Sequence, residues 1–187
     1  MYRRSGLSGV TSLDEIMNEN NAPNSKYISS IIKLMNETFI NKESVPPIFL
    51  FEKEGSINPV KIPNKLLDSD EGKEELAILI QTAVETFKPE SFCLITEAWI
   101  YKIEDCENPE EAHQIIQNYK KGIQDPKLVR EESVTFSYTE LNSDNSHSRW
   151  LGSMPIHRDS NEIITKFGPV KWVKAEGNKN LVGRFVF

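Results

Sequence analysis

The chain is poor in the residues that most often carry chemistry. It has two cysteines and three histidines among 187 residues. Cys93 and Cys106 form no CxxC pair, and no Cys/His cluster stands at zinc spacing. Two free thiols in a reducing cytoplasm are therefore expected. No apolar run approaches the roughly 20 residues that a membrane helix needs. Arg3 and Arg4 are not followed by the apolar stretch of a secretory signal. There is no GxxxxGKS/T phosphate loop, no GxGxxG after a strand, no GxSxG and no HExxH. No cofactor is called for. Positive charge is also short: acids exceed bases by 28 − 22 = 6. That argues against sequence-independent binding to nucleic acid, which needs clustered Lys and Arg.

What is present reads as one soluble α+β domain. Apolar residues make up 38% and charged residues 27%, enough for a modest core. Residues 1–24 read as a flexible N-terminal arm, rich in Gly, Ser and Asn, with one short helical piece at Leu13 to Met17. Residues 25–187 read as the domain. Its first helix runs to about Phe39, with Ile28, Ile31, Ile32, Met35 and Phe39 on one face. A hairpin follows, Ile48 to Phe51 and Pro59 to Ile62, turning at Gly55, with Pro59 marking an edge. A longer helix starts at Asp68 to Asp70 and stops before Pro89, its stripe formed by Leu76, Leu79, Ile80, Ala83, Val84 and Phe87. Asn108, Pro109 and Glu111 open a third helix whose apolar residues are Ala112, Ile115, Ile116 and Tyr119.

Beyond Leu128 the pattern changes to strands. Val134, Phe136 and Tyr138 alternate with polar residues, and Asn142 to Ser146 turns the chain so that Arg149 to Ile156 returns antiparallel. A short strand at Glu162 to Lys166 and a final hairpin, Lys171 to Lys174 with Leu181 to Phe187, complete the reading. The order is α-β-β-α-β-α-β-β-β-β, in a mainly antiparallel or mixed sheet packed with helices.

The stretch from Phe92 to Tyr101, FCLITEAWIY, is the expected centre of that sheet. Both of its rows are largely apolar, which predicts an interior strand covered on both sides at least in part. Thr96 and Ala98 are small enough to let a helix lie close. Glu97 breaks the pattern, set between Ile95 and Trp99 on the more aromatic face. A carboxylate there needs a partner, because a bare buried charge is very costly. Arg130 or Arg158 is the expected partner, and removal of Glu97 would then strand a buried cation. The two arginines come together if the strands at 130–138 and 150–158 pair about Asp144, with Glu97 or Glu132 between them. The candidate binding residues are Glu97, Trp99, Tyr101, Arg130 and Arg158, as an ion pair or as an anion-binding cleft beside Trp99.

The order of parts resembles an uncharacterised family of bacterial and phage-borne proteins. The matching pieces are Pro46 to Phe51, Glu97-Ala98-Trp99, Arg130 to Val134 and Arg158-Asp159, over roughly residues 45–160. The helix at Pro109 to Tyr119 is longer than the loop in that group, and the tail past Asp159 lies outside the match. The resemblance implies kinship of fold and no mechanism. The leading expectation is a non-enzymatic accessory or interaction protein. It would meet a protein partner, or a second copy through residues 25–40. The alternative is a hydrolase or nuclease-like enzyme built on Glu97, His157 and Asp159, which requires the three side chains to converge.

Overall fold

The computed structural model describes residue 23 and residues 26–175, apart from 105, 107 and 145. Most of the expected arm and the expected strand Leu181 to Phe187 lie outside the described residues. The element order is the expected one: α1 (Lys26–Phe39), β1 (Ile48–Lys53), β2 (Ser56–Lys61), a 3-10 turn (Asn64–Leu66), α2 (Asp70–Phe87), β3 (Ser91–Ile103), α3 (Pro109–Lys120), β4 (Leu128–Leu141), β5 (His147–Arg158), β6 (Ile164–Phe167) and β7 (Lys171–Lys174). The fold is α+β, and every strand pairing is antiparallel.

The strands stand in the order β2-β1-β3-β4-β5-β6. β2 is an edge strand, where Pro59 loses no ladder bond that a neighbour needs. Its hairpin with β1 turns at Glu54 and Gly55, φ 53° and 79°. Two successive left-handed residues form the two-residue turn that matches strand twist, and glycine adopts it freely. β6 and β7 follow one another along the free edge of β5, with β7 on Trp150 to Ser153 and β6 on Ile156 to Arg158. β7 thus finds its partner in β5.

Local chemistry sets the helix ends. The Ser69 side chain accepts from Gly72 N at 3.0 Å and caps α2, with Asp70 and Glu71 in its first turn. The Asn108 side chain accepts from Glu111 N at 2.8 Å and caps α3, with Pro109 at its start.

Two apolar layers sandwich the sheet. On one face α1 buries Ile28, Ile31 and Met35 against Leu50, Cys93, Ile95, Val134, Phe136, Tyr138 and Met154. On the other, α2 packs Leu76 and Ile80 on Phe49, Phe92 and Leu94. That second layer ends at Leu94, so β3 is covered on both faces only over its first half. On that face Thr96 pairs its hydroxyl with that of Thr135, 2.8 Å away. β1 pairs β3 only from Ser91 to Ile95, and β5 pairs β4 only from Ser133 onward. The remainder, Trp99–Ile103 with Leu128–Glu132, is a two-stranded ribbon extending from the sheet.

Gly152 marks the closest approach in the larger core. A Cβ there would lie 2.6 Å from the Trp172 ring, which is buried and stiff. Gly152→Ala should therefore destabilise by about 1–3 kcal/mol through overpacking. Urea titration checks this; an unchanged midpoint would mean that Trp172 does not rest on Gly152.

Candidate functional site

The antiparallel register stacks side chains in cross-strand rows on the α1 face. The middle rows are apolar, with Leu50, Cys93 and Tyr138 in one and Ile48, Ile95 and Phe136 in the next. Toward the ribbon the rows become polar. Glu97 stands opposite Val134, Trp99 opposite Glu132 and Tyr101 opposite Arg130. β4 and β5 pair about Asp144, as Ser133 opposite Pro155 shows, so β5 delivers Arg158 to the same end.

Arg158 organises this end. Its side chain is 11% exposed. Nε donates to Glu132 Oε2 at 2.7 Å and Nη2 to Glu132 Oε1 at 2.8 Å, a two-point fork on one carboxylate. Nη2 also donates to Glu97 Oε1 at 3.0 Å. Nη1 donates to the carbonyls of Glu43 and Glu162, at 2.5 and 2.8 Å. A guanidinium has five N–H groups, and these five bonds use them all. The other Glu97 oxygen accepts from Val45 N at 2.9 Å. One arginine thus joins β3, β4, the connection before β1 and the β5–β6 turn.

The two carboxylates titrate in opposite directions. Burial pushes Glu97 up, reinforced by the neighbouring Glu132, while Val45 N–H and Arg158 pull it down. The Arg158 fork holds Glu132 below the usual carboxylate range. They form one coupled system.

Glu97 therefore has the arginine partner that its apolar neighbours demand, and it is Arg158. Arg130 lies elsewhere, its guanidinium 3.7 Å from the centre of the Trp99 ring. Trp99 is 50% exposed and Tyr101 40%. Tyr119 of α3 lies against Tyr101, ring centres 4.7 Å apart, with the two hydroxyls hydrogen-bonded. Of the expected binding residues, Glu97 and Arg158 sit in the ion cluster. Trp99, Tyr101 and Arg130 form an adjoining platform that Tyr119 extends. Tyr119 was expected on the buried stripe of α3; Ile115 alone of that stripe is fully buried, leaving Ile116 and Tyr119 exposed.

Glu97 is held by Val45 N and Arg158, while His157 is exposed opposite Lys166 at a bulge in β5. Asp159 Oδ1 accepts from the backbone of Asn161 and Ile163, which fixes the β5–β6 turn. Among the described residues no group of three His, Cys, Asp or Glu side chains is placed to hold a metal ion. The chain has no match among protein-family models, characterised proteins or solved structures.

Two outcomes follow from the ion cluster. Arg158→Ala should cost about 3–5 kcal/mol, because it leaves two largely buried carboxylates uncompensated. Arg158→Lys should recover less than half of that, since three donors cannot replace five. Glu97→Ala should cost less than Arg158→Ala, about 1–3 kcal/mol, because Glu132 still holds the guanidinium. Chemical denaturation of the three variants checks the ranking.

The pH dependence separates the two acids. Glu132, with its depressed pKa, contributes stability above the ordinary carboxylate range that is lost as pH falls through its folded pKa. Glu97, with its raised pKa, does the reverse: the folded state takes up its proton first, so acidification through a window above that range adds stability. Glu97→Gln removes the gain and leaves the loss. Melting points from pH 7 down to pH 3 should fall more steeply for Glu97→Gln than for the wild type. Parallel curves would exclude the raised pKa.

Proposed function

We propose that the chain is a non-enzymatic interaction protein whose partner-binding surface is the platform of Trp99, Tyr101, Tyr119 and Arg130. The observation that carries this reading is the exposed Trp99 ring with the Arg130 guanidinium stacked on it. Tryptophan, tyrosine and arginine are the residues most enriched where binding energy concentrates in protein interfaces. Their exposure leaves apolar area for a partner to cover, and the cation–π stack pre-orders two long side chains. Beside them β3 offers an open edge from Trp99 to Ile103, unpaired on the β1 side. An added strand could use those main-chain groups. Arg158, with its five donors spent, serves as the foundation of the platform rather than as an anion receptor.

The same reasoning places the partner away from residues 25–40. The apolar stripe of α1 is taken by its own sheet, and Leu34 remains exposed on its outer side. A second copy would have to displace the sheet to use that stripe. Among the described residues no helix is long and apolar enough to cross a membrane. The free thiols, Cys93 buried and Cys106 partly exposed, suit a reducing cytoplasm.

The double variant Trp99→Ala, Arg130→Ala should keep its stability to within roughly 1 kcal/mol, as exposed substitutions do. It should bind a partner at least ten times more weakly. The partner is to be found by cross-linking in host extract, then purified and titrated against both proteins. The affinities are read by calorimetry, which needs no signal from Trp99 and so serves the double variant as well. Equal affinity for the wild type and the double variant would overturn the assignment.

A further inference from the structure

The α1 face carries a second polar row at the end remote from Arg158. Glu52 of β1, Ser91 of β3 and Glu140 of β4 stand opposite one another across three strands. They line a cleft of about 460 Å³ with Lys26 and Tyr27 at the start of α1 and with Glu90. The two ends of this face are built alike, with carboxylates on neighbouring or next-neighbouring strands closing an apolar centre. At one end Arg158 joins the carboxylates. At the other no arginine of the described residues enters.

Glu52 is the telling residue. It is 5% exposed, and among the described residues it is the only acid in the buried class. Its Oε2 accepts from Ser91 Oγ at 3.0 Å. The Tyr27 hydroxyl also bears on the carboxylate, which holds the phenol's proton and raises its pKa. Yet Oε1 is buried with no donor among the described residues. A buried carboxylate oxygen left in that state is costly. Burial also raises the pKa of Glu140, and the nearby Glu52 adds to it. Lys26 directs its ammonium to Tyr27, which raises the lysine pKa ahead of any effect of Glu52. The formal charge of the lining is three acids against one lysine, so the cleft selects for a cation. Its volume is in the range that holds a small ligand or a long side chain.

We infer that this cleft is a binding site for a guanidinium group, which would donate to Glu52 Oε1 and to Glu140 much as Arg158 donates to Glu97 and Glu132. A planar group with five donors can serve carboxylates on different strands at once; a compact ammonium with three is less suited to that span. The guanidinium can arrive on a small amine or on an arginine side chain of a peptide. The inference does not depend on the Trp99 platform, which lies at the other end of the face.

The test is an amide NMR titration of the full chain at pH 7 and low salt. The probes are agmatine and the peptide acetyl-Gly-Arg-Gly-amide, with acetyl-Gly-citrulline-Gly-amide as the uncharged control. Both guanidinium probes should give saturable shifts at Ser91, Leu141 and Asn142, and the citrulline peptide should not. Equal affinities would assign the site to the guanidinium alone; tighter binding of the peptide would assign it to an arginine within a chain. Glu52→Gln should weaken binding at least tenfold, and Glu140→Gln, at a less buried position, provides the same comparison should the first variant fold poorly. Trp99→Ala should leave the affinity unchanged. Without ligand, Glu52→Gln should melt a few degrees above the wild type, because it removes a buried charge whose Oε1 has no donor among the described residues. Non-saturating shifts, equal binding of the citrulline peptide, or undiminished binding by the folded variants would overturn the inference.

Discussion

The structure depends most on a single saturated guanidinium. Arg158 reaches four separate parts of the chain, and three of them, the Glu43 carbonyl and the Glu97 and Glu132 carboxylates, are far from it in sequence. A surface ion pair contributes little, because water competes for both partners. Here the side chain is mostly enclosed and every donor is used, so partial disruption leaves buried acceptors without donors. This arrangement specifies geometry more than it adds stability. It fixes where the connection before β1 crosses the end of β3, and therefore where the covered sheet stops.

The ribbon is the other side of that boundary. Past Ile95, β3 loses its β1 neighbour, and before Ser133, β4 lacks β5. The side chains on the α1 face change at the same place from Ile95 and Phe136 to Glu97, Trp99, Tyr101 and Arg130. Apolar burial and strand pairing give out together because the same helix and neighbouring strands supply both. The aromatic residues on the ribbon are consequently left partly in water.

Much of this was legible in the sequence, and the reasons are local. Ile28, Ile31 and Met35 at helical spacing specify a helix and its buried stripe, and the Ser69 and Asn108 caps lie where capping chemistry places them. Val134, Phe136 and Tyr138 give the parity of β4, and the short polar turn after Leu141 sets the register with β5. That register brings Arg158 to Glu97. The extent of cover over β3 was not legible, because FCLITEAWIY is apolar on both rows whether or not a helix lies on each. Ile116 and Tyr119 likewise match a buried stripe in spacing but meet too little surface to be covered. The Glu52 row escaped notice although its signal was the same as that of Glu97: a carboxylate continuing an apolar alternation, two residues beyond Leu50.

The ribbon also has a kinetic meaning. Each of its strands is hydrogen-bonded along one side only, and two-stranded pairs are marginal without further cover. Its amides are thus expected to exchange with solvent through small local openings, at a lower free energy than the amides of Ile95 or Phe136 behind them. Trp99 and Arg130 ride on the segment that can open without unfolding the sheet. A molecule that clamps the ribbon would slow exchange there while leaving the global unfolding of the core almost untouched.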